Sequence, residues 1–166
     1  PAYLGYRGEL RIRALVEPWR AELRGACAVF ADGWAENEGI GNLVLEAFRE
    51  AAAAGVPSFF DPGPGNPALD NAWHKEVARL AHVVLANEKE AMRLTGAADA
   101  LAAGQTFIAN GAKLAVVKRD VAGCLLVTAD QFEIAAGYPV QAVDATGAGD
   151  SLAAGITGKA VTPFLL

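Results

Sequence analysis

The sequence is poor in reactive sulfur and in membrane-spanning character. It has two cysteines, Cys27 and Cys124, far apart in the apolar settings "GACAVF" and "GCLLV". Two thiols make no disulfide framework, and no Cys/His cluster offers a zinc site. Both are read as buried free thiols, with a disulfide between them as the alternative. No stretch reaches the 18 or so uninterrupted apolar residues of a spanning helix, and no basic-then-apolar leader opens the chain. A cytoplasmic protein without membrane partners is therefore expected. Positive charge is also scarce: 14 Lys and Arg stand against 19 Asp and Glu, a net charge of -5, and the cations form no stripe. Nucleic-acid binding, which rests on neutralising phosphates, is disfavoured. A small polyanion held by backbone amides stays open, because such a cradle does not depend on net charge. Met92 is the single methionine and position 1 is proline, so a fragment or a processed product is expected.

What is present is a globular composition, 53% apolar and 20% charged over 166 residues, enough for one domain with a sizeable core. A helical run is predicted around Ile12 to Leu23, then a buried strand in "ACAVFADGW" ending at Asp32-Gly33. Asn42 is placed as the cap of a helix "LVLEAFREAAAAG" that stops at Gly55. "VPSFFD" reads as a strand and "PGPGNP" as loop. Helix "PALDNAWHKEVARLA", strand "HVVLA", helix "EKEAMRLTG", helix "ADALAAGQTFIANG" and strand "KLAVVK" follow. "CLLVTAD" and "QFEIAA" pair as a hairpin, "YPVQAVDA" is extended, and a helix runs from about Gly149 toward Lys159. Alternating strands and helices predict an α/β fold with a mostly parallel sheet, covered on both faces and carrying a late antiparallel addition. Ligands in such sheets bind beyond the carboxyl ends of the strands. That rule marks Asp32-Gly33, Asp61 to Asn66, Asn87 to Glu90, Lys118 to Asp120 and Asp144 to Asp150.

The last of these, "DATGAGD", carries the most chemistry. Gly147 and Gly149 let amides turn into one concavity at a helix start, where the helix dipole adds positive potential. Such a bend holds phosphate and stabilises charge that develops during its transfer. Asp150 beside it can act as a proton acceptor, or it can simply cap the helix. Two other phosphate motifs fail. Gly158-Lys159 has Ala153 and Ala160 where a Walker A loop needs Gly and Ser/Thr, and Leu152 occupies the third glycine position of a dinucleotide fingerprint. In "NEKE", Asn87 and Glu90 share a face of an opening helical turn and can organise a hydrated magnesium ion; a capping box is the structural alternative. In "VVKRD", Lys118 or Arg119 can meet a phosphate or lie in a solvated turn. "DPGPGN" is a nucleotide or substrate wall, or a rigid crossover. His74 and His82 show no nearby Cys, Asp or second-His partnership in the sequence and are read as structural or surface residues. Trp19, Trp34 and Trp73 are read as core or rim.

Together, "DATGAGDSLAAG", "FFDPGP", "NEKEAMRLTG" and "VVKRDVAGCLLV", in this order, resemble the PfkB carbohydrate kinase family, the ribokinase-like kinases, over roughly residues 25 to 160. The resemblance implies a three-layer α/β/α ribokinase-like fold, incomplete here. Residues 1–166 would be the C-terminal portion of a single kinase domain whose N-terminal sugar-binding half and lid are absent. It implies transfer of the γ-phosphoryl of ATP to a sugar hydroxyl, with Mg2+ and, in some members, K+. It makes Asp150 the catalytic base and gives Gly147, Ala148 and Gly149 the anion-hole amides. Asn87 and Glu90 would organise magnesium and phosphate, with Glu90 acting through water. Lys118 and the nearby Gly123 would contact nucleotide, and Asp144 with Thr146 would hold a monovalent cation. The partners implied are a small sugar and ATP, with a homodimer in the full-length protein. The alternative is a truncated, non-catalytic nucleotide- or partner-binding module. Asp120 departs from the pattern, which usually has glycine there beside the nucleotide phosphates. With half a kinase missing, an exposed sheet edge and an unpacked helix face are expected.

Overall fold

The computed structural model describes Ile12 and residues 14–37, 40–63, 72–141 and 143–161. In chain order the elements are α1 (Glu17–Gly25), β1 (Val29–Asp32), α2 (Trp34–Asn37), α3 (Gly41–Ala54), β2 (Ser58–Asp61), α4 (Ala72–Leu80) and β3 (Val83–Asn87). Then come α5 (Glu88–Thr95), α6 (Ala100–Ala109), β4 (Leu114–Lys118), a 3-10 turn (Asp120–Ala122), β5 (Cys124–Val127), β6 (Phe132–Ala135) and α7 (Ala148–Val161).

The six strands lie in sequence order in one sheet. β1 to β4 are parallel, and β5 and β6 are antiparallel additions. Side chains alternate across it, as strand geometry requires. Phe60, Val84, Ala86, Ala115, Val117, Leu125 and Val127 point into one core with Phe48 of α3, Val77 of α4, Leu94 of α5 and Phe107 of α6. Phe59, Val83, Leu85, Val116 and Cys124 point the other way, onto Ala153 of α7. The interior strands are apolar on both faces because both are covered, the sequence habit of buried parallel strands. The fold is thus the mixed α/β, mostly parallel arrangement expected, with its helices on two faces.

At the sheet's borders that cover thins. Phe30 in β1 is 47% exposed on the α7 side, and every residue of β6 is exposed. This matches the expected exposed sheet edge.

Several local expectations are corrected. α1 begins at Glu17, not Ile12, with Pro18 in its first turn, where a missing N–H costs nothing. Asn42 does not cap α3: the helix already starts at Gly41, whose carbonyl accepts a hydrogen bond from Trp73 Nε1 at 2.9 Å. Close packing on Trp73 places that first turn. Cys27 is exposed, because it lies just before the edge strand rather than inside the sheet; Cys124 is buried as expected. Among the described residues 138–145 form no strand, since β6 has no further neighbour there to pair with. Most of the "PGPGNP" loop and the start of "PALDNAWHKEVARLA" lie outside the described residues. His74 is a buried structural residue packed edge-on to Trp73, ring centroids 5.0 Å apart. Trp73 borders the core, whereas Trp19 and Trp34 are largely exposed.

Candidate active site at the carboxyl ends of the strands

β2, β3 and β4 end side by side on Asp61, Asn87 and Lys118, the last two in direct register. Parallel pairing forces this: strands entering the sheet at one level leave it at another, and their terminal side chains share the rim. Lys118 Nζ donates to Asp61 Oδ2 at 2.6 Å, with side chains only 17% and 13% exposed. The other Asp61 oxygen accepts from the Gly63 amide at 3.2 Å. Lys118 is therefore held by a partner 57 residues away. Its ammonium also reaches the opening of α7: a β-carbon built on Gly149 would lie 3.5 Å from Lys118 Nζ.

Asn87 and Glu90 form a reciprocal capping box at the start of α5. The Asn87 side chain accepts from the Glu90 amide at 2.9 Å, and Glu90 Oε2 accepts from the Asn87 amide at 2.8 Å. This is the structural alternative left open by "NEKE", and it occupies one Glu90 oxygen. Burial pushes the Glu90 carboxyl above its ordinary pKa, and the nearby Asp61 charge adds to the rise. The Asn87 amide, Lys118 and Arg93 pull the other way.

The signature bend is built in two steps. Asp144 Oδ1 accepts from the Thr146 amide at 2.8 Å and from its hydroxyl at 2.7 Å, closing a small turn that holds the Asp144 carboxyl below its usual range. A tighter turn follows, in which the Ala148 amide donates to Ala145 O at 3.2 Å. Its third residue must take a left-handed backbone, and Gly147 does so with φ +78°. The first α-helical bond of α7 runs from the Ser151 amide to Gly147 O at 2.9 Å.

Among the described residues the amides of Gly149 and Asp150 meet no carbonyl. They are open donors of the helix's first turn. The Ala148 amide, expected in the same cradle, is taken up by the turn itself. Asp150 is exposed, its Oδ2 beside Gly147, and its side chain makes no capping hydrogen bond among the described residues. A simple capping role thus has no bond to support it.

Asn87, Lys118 and Gly149 from among these groups line a cleft of about 890 Å3, together with Arg119, Asp120 and Gly123. Its outer wall is the 3-10 turn and the segment after β6, where Tyr138 is 90% exposed. Gly123 (φ +85°) joins the two: a β-carbon there would sit 2.0 Å from Ala135 O. Asp61 is the participant whose pairing sequence reasoning missed. The available signal was a carboxylate ending a strand at the rim, but nothing local names Lys118 as its partner. Arg119 Nε is buried in the same wall without a hydrogen-bond partner among the described residues.

The family model for pfkB family carbohydrate kinases matches residues 27–162, an interval that contains every group just described. The chain belongs to the pfkB carbohydrate kinase family. A ribokinase of Mus musculus is 33% identical over 115 residues, 64% of this chain and 34% of that protein. A PfkB protein from Polaromonas sp. JS666 superposes with a TM-score of 0.76 at 26% identity, over 86% of this chain and 49% of that one. A ribokinase-type protein from E. coli, solved in complex with ATP and Mg2+, gives 0.77 at 25%, over 86% and 48%. This pfkB-family chain thus spans about half the length of these solved relatives and a third of the mouse protein. No described helix is long and apolar enough to cross a membrane.

Proposed function

We propose that this chain is the nucleotide- and phosphate-handling, C-terminal portion of an ATP-dependent sugar kinase domain. The sugar-binding half would be supplied by the remaining length that its relatives have. The observation that carries the proposal is the opening of α7, where the open Gly149 and Asp150 amides and the exposed Asp150 carboxylate lie at a helix start whose Gly149 lines the same cleft as Lys118 and approaches its ammonium.

Phosphoryl transfer needs little covalent help from a protein and much positioning. The Gly149 and Asp150 amides, backed by the helix dipole, hold oxygens of the transferring group and stabilise the charge that grows on them. Gly147 provides the bend that exposes them. Lys118, held beside the opening of α7 by Asp61, offers hydrogen-bond donors to the same phosphate oxygens, and Gly123 keeps the nucleotide wall close. Asp150 takes the proton of the attacking sugar hydroxyl as its oxygen bonds to the γ-phosphorus. The bond from that phosphorus to the bridging oxygen breaks, and ADP leaves with the electron pair.

The residues present fit magnesium in part. Glu90 keeps one carboxylate oxygen outside its capping box, and its charge is disfavoured by burial and by Asp61, a condition that a divalent cation would relieve. Magnesium retains most of its waters and takes only one or two carboxylates, so the lack of any three-residue ligand cluster among the described residues does not conflict with it. When bound it would neutralise charge between the phosphates. The Asn87 side-chain oxygen, by contrast, is taken up in the capping box, so toward magnesium its role is to position Glu90. Asp144 and Thr146 do not fit a monovalent cation well, since their polar groups are turned on each other.

The test is turnover in a polypeptide that joins this chain to the missing half. Asp150→Asn is expected to lower turnover about 10^3-fold, the scale of a lost general base, while leaving MgATP binding intact. The chain alone is expected to release little or no ADP with sugar; measurable sugar-dependent release would contradict that. The second reading, a non-catalytic binding module, draws on Asp120 in the cleft wall and on the Lys118 charge already matched by Asp61. Unchanged turnover in the Asp150→Asn variant would favour it.

A further inference from the structure

We propose that Asp120 is a specificity-determining residue that biases the cleft against metal-free nucleotide and toward the magnesium complex. The proposal rests on the reading of the cleft as a nucleotide site. Asp120 is the one non-glycine residue among those described with a positive φ, +53°. Left-handed backbone is uncommon outside glycine, and such outliers gather at ligand-binding and switch regions. The turn around it is closed by the Arg119 amide on Gly123 O at 2.8 Å and the Gly123 amide on Asp120 O at 3.0 Å. Asp120 lines the cleft together with Lys118 and Arg119, yet it is exposed and its carboxylate has no ion pair or hydrogen bond among the described residues. Lys118 cannot offset it cheaply, being bound to Asp61. Arg119 brings a cation to the same wall, but the Asp120 carboxylate still adds its own repulsion of a polyphosphate, in proportion to that ligand's charge.

ATP near neutral pH carries about two more negative charges when free than when complexed with magnesium. Coulomb's law for that difference, at about 10 Å in a water-like dielectric, corresponds to roughly a fourfold preference. It should shrink as salt is added, because the screening length falls to about 10 Å at 0.1 M.

Asp120→Asn separates charge from backbone, since asparagine also tolerates the left-handed region. The experiment is calorimetric titration of the chain with ATP in EDTA and with ATP in excess magnesium at low ionic strength, for the parent, Asp120→Asn and Asp120→Gly. Thermal melts serve to check that the fold is kept. Both substitutions are expected to tighten metal-free ATP about fourfold more than MgATP, with the difference fading at high salt. If ATP binds but both forms respond equally, or neither responds, the inference fails and the nucleotide reading stands. If no variant binds ATP with or without magnesium, the nucleotide reading itself fails and this inference with it.

Discussion

The Asp61–Lys118 pair is where a stability measurement bears most directly on the site. Asp61→Asn keeps the shape of the side chain and removes its charge, leaving the Lys118 ammonium at a rim where the pair is only 17% and 13% exposed. An exposed pair is worth about 0–1 kcal/mol, whereas breaking a buried one costs about 3–5 kcal/mol because the orphaned charge stays desolvated. With 17% of the Lys118 side chain and 13% of that of Asp61 still wet, the single substitution should cost about 2–3 kcal/mol. Lys118→Met should cost a similar amount, and the double variant should recover much of the loss, a coupling of about 1.5–2.5 kcal/mol. Urea denaturation of the four proteins, with unchanged m-values, measures this. A coupling below about 0.5 kcal/mol would mean that the 2.6 Å contact is not a held interaction in solution. The reasoning about a fixed Lys118 would then fall.

Two further outcomes follow from neighbouring residues. The Glu90 carboxyl is raised above its unfolded value, so the native state binds its proton more tightly. Its contribution to stability is present at pH below the unfolded carboxyl range and is lost as pH rises toward the folded value. Glu90→Gln, which can still complete the capping box, should flatten that decline; an unchanged pH–stability curve would contradict the assignment. Gly123→Ala must place a β-carbon 2.0 Å from Ala135 O on a residue with φ +85°, so it should destabilise by about 3 kcal/mol or more and loosen the hairpin wall. Urea denaturation reads this, and a loss below 1 kcal/mol would count against the close packing of that turn.

The parts legible in the sequence were those whose cause is local. "HVVLA" announces a strand buried on both sides, and Gly55 and Gly96 end their helices in left-handed caps, as their positions suggested. The Asn87–Glu90 spacing marked a helix start whichever role it served. What escaped was set by tertiary contacts. Trp73 decides where α3 begins, and a neighbour 57 residues away decides what Lys118 can do. The bend at Gly147 was visible as flexibility, but which amides it frees was not. Only the turn onto Ala145 O shows that Ala148 is spent and that Gly149 and Asp150 remain. Cys27 looked buried because its neighbours are apolar, yet they lie at a border.

The central claim is that the open first turn of α7 receives nucleotide phosphates. A titration of the isotopically labelled chain with MgATP, followed through its amide resonances, tests it most directly. The account expects saturable shifts largest at Gly149 and Asp150, with the Ala148 amide, already donating to Ala145 O, moving far less. Unmoved Gly149 and Asp150 resonances at high MgATP, or shifts confined to other parts of the sheet, would contradict it.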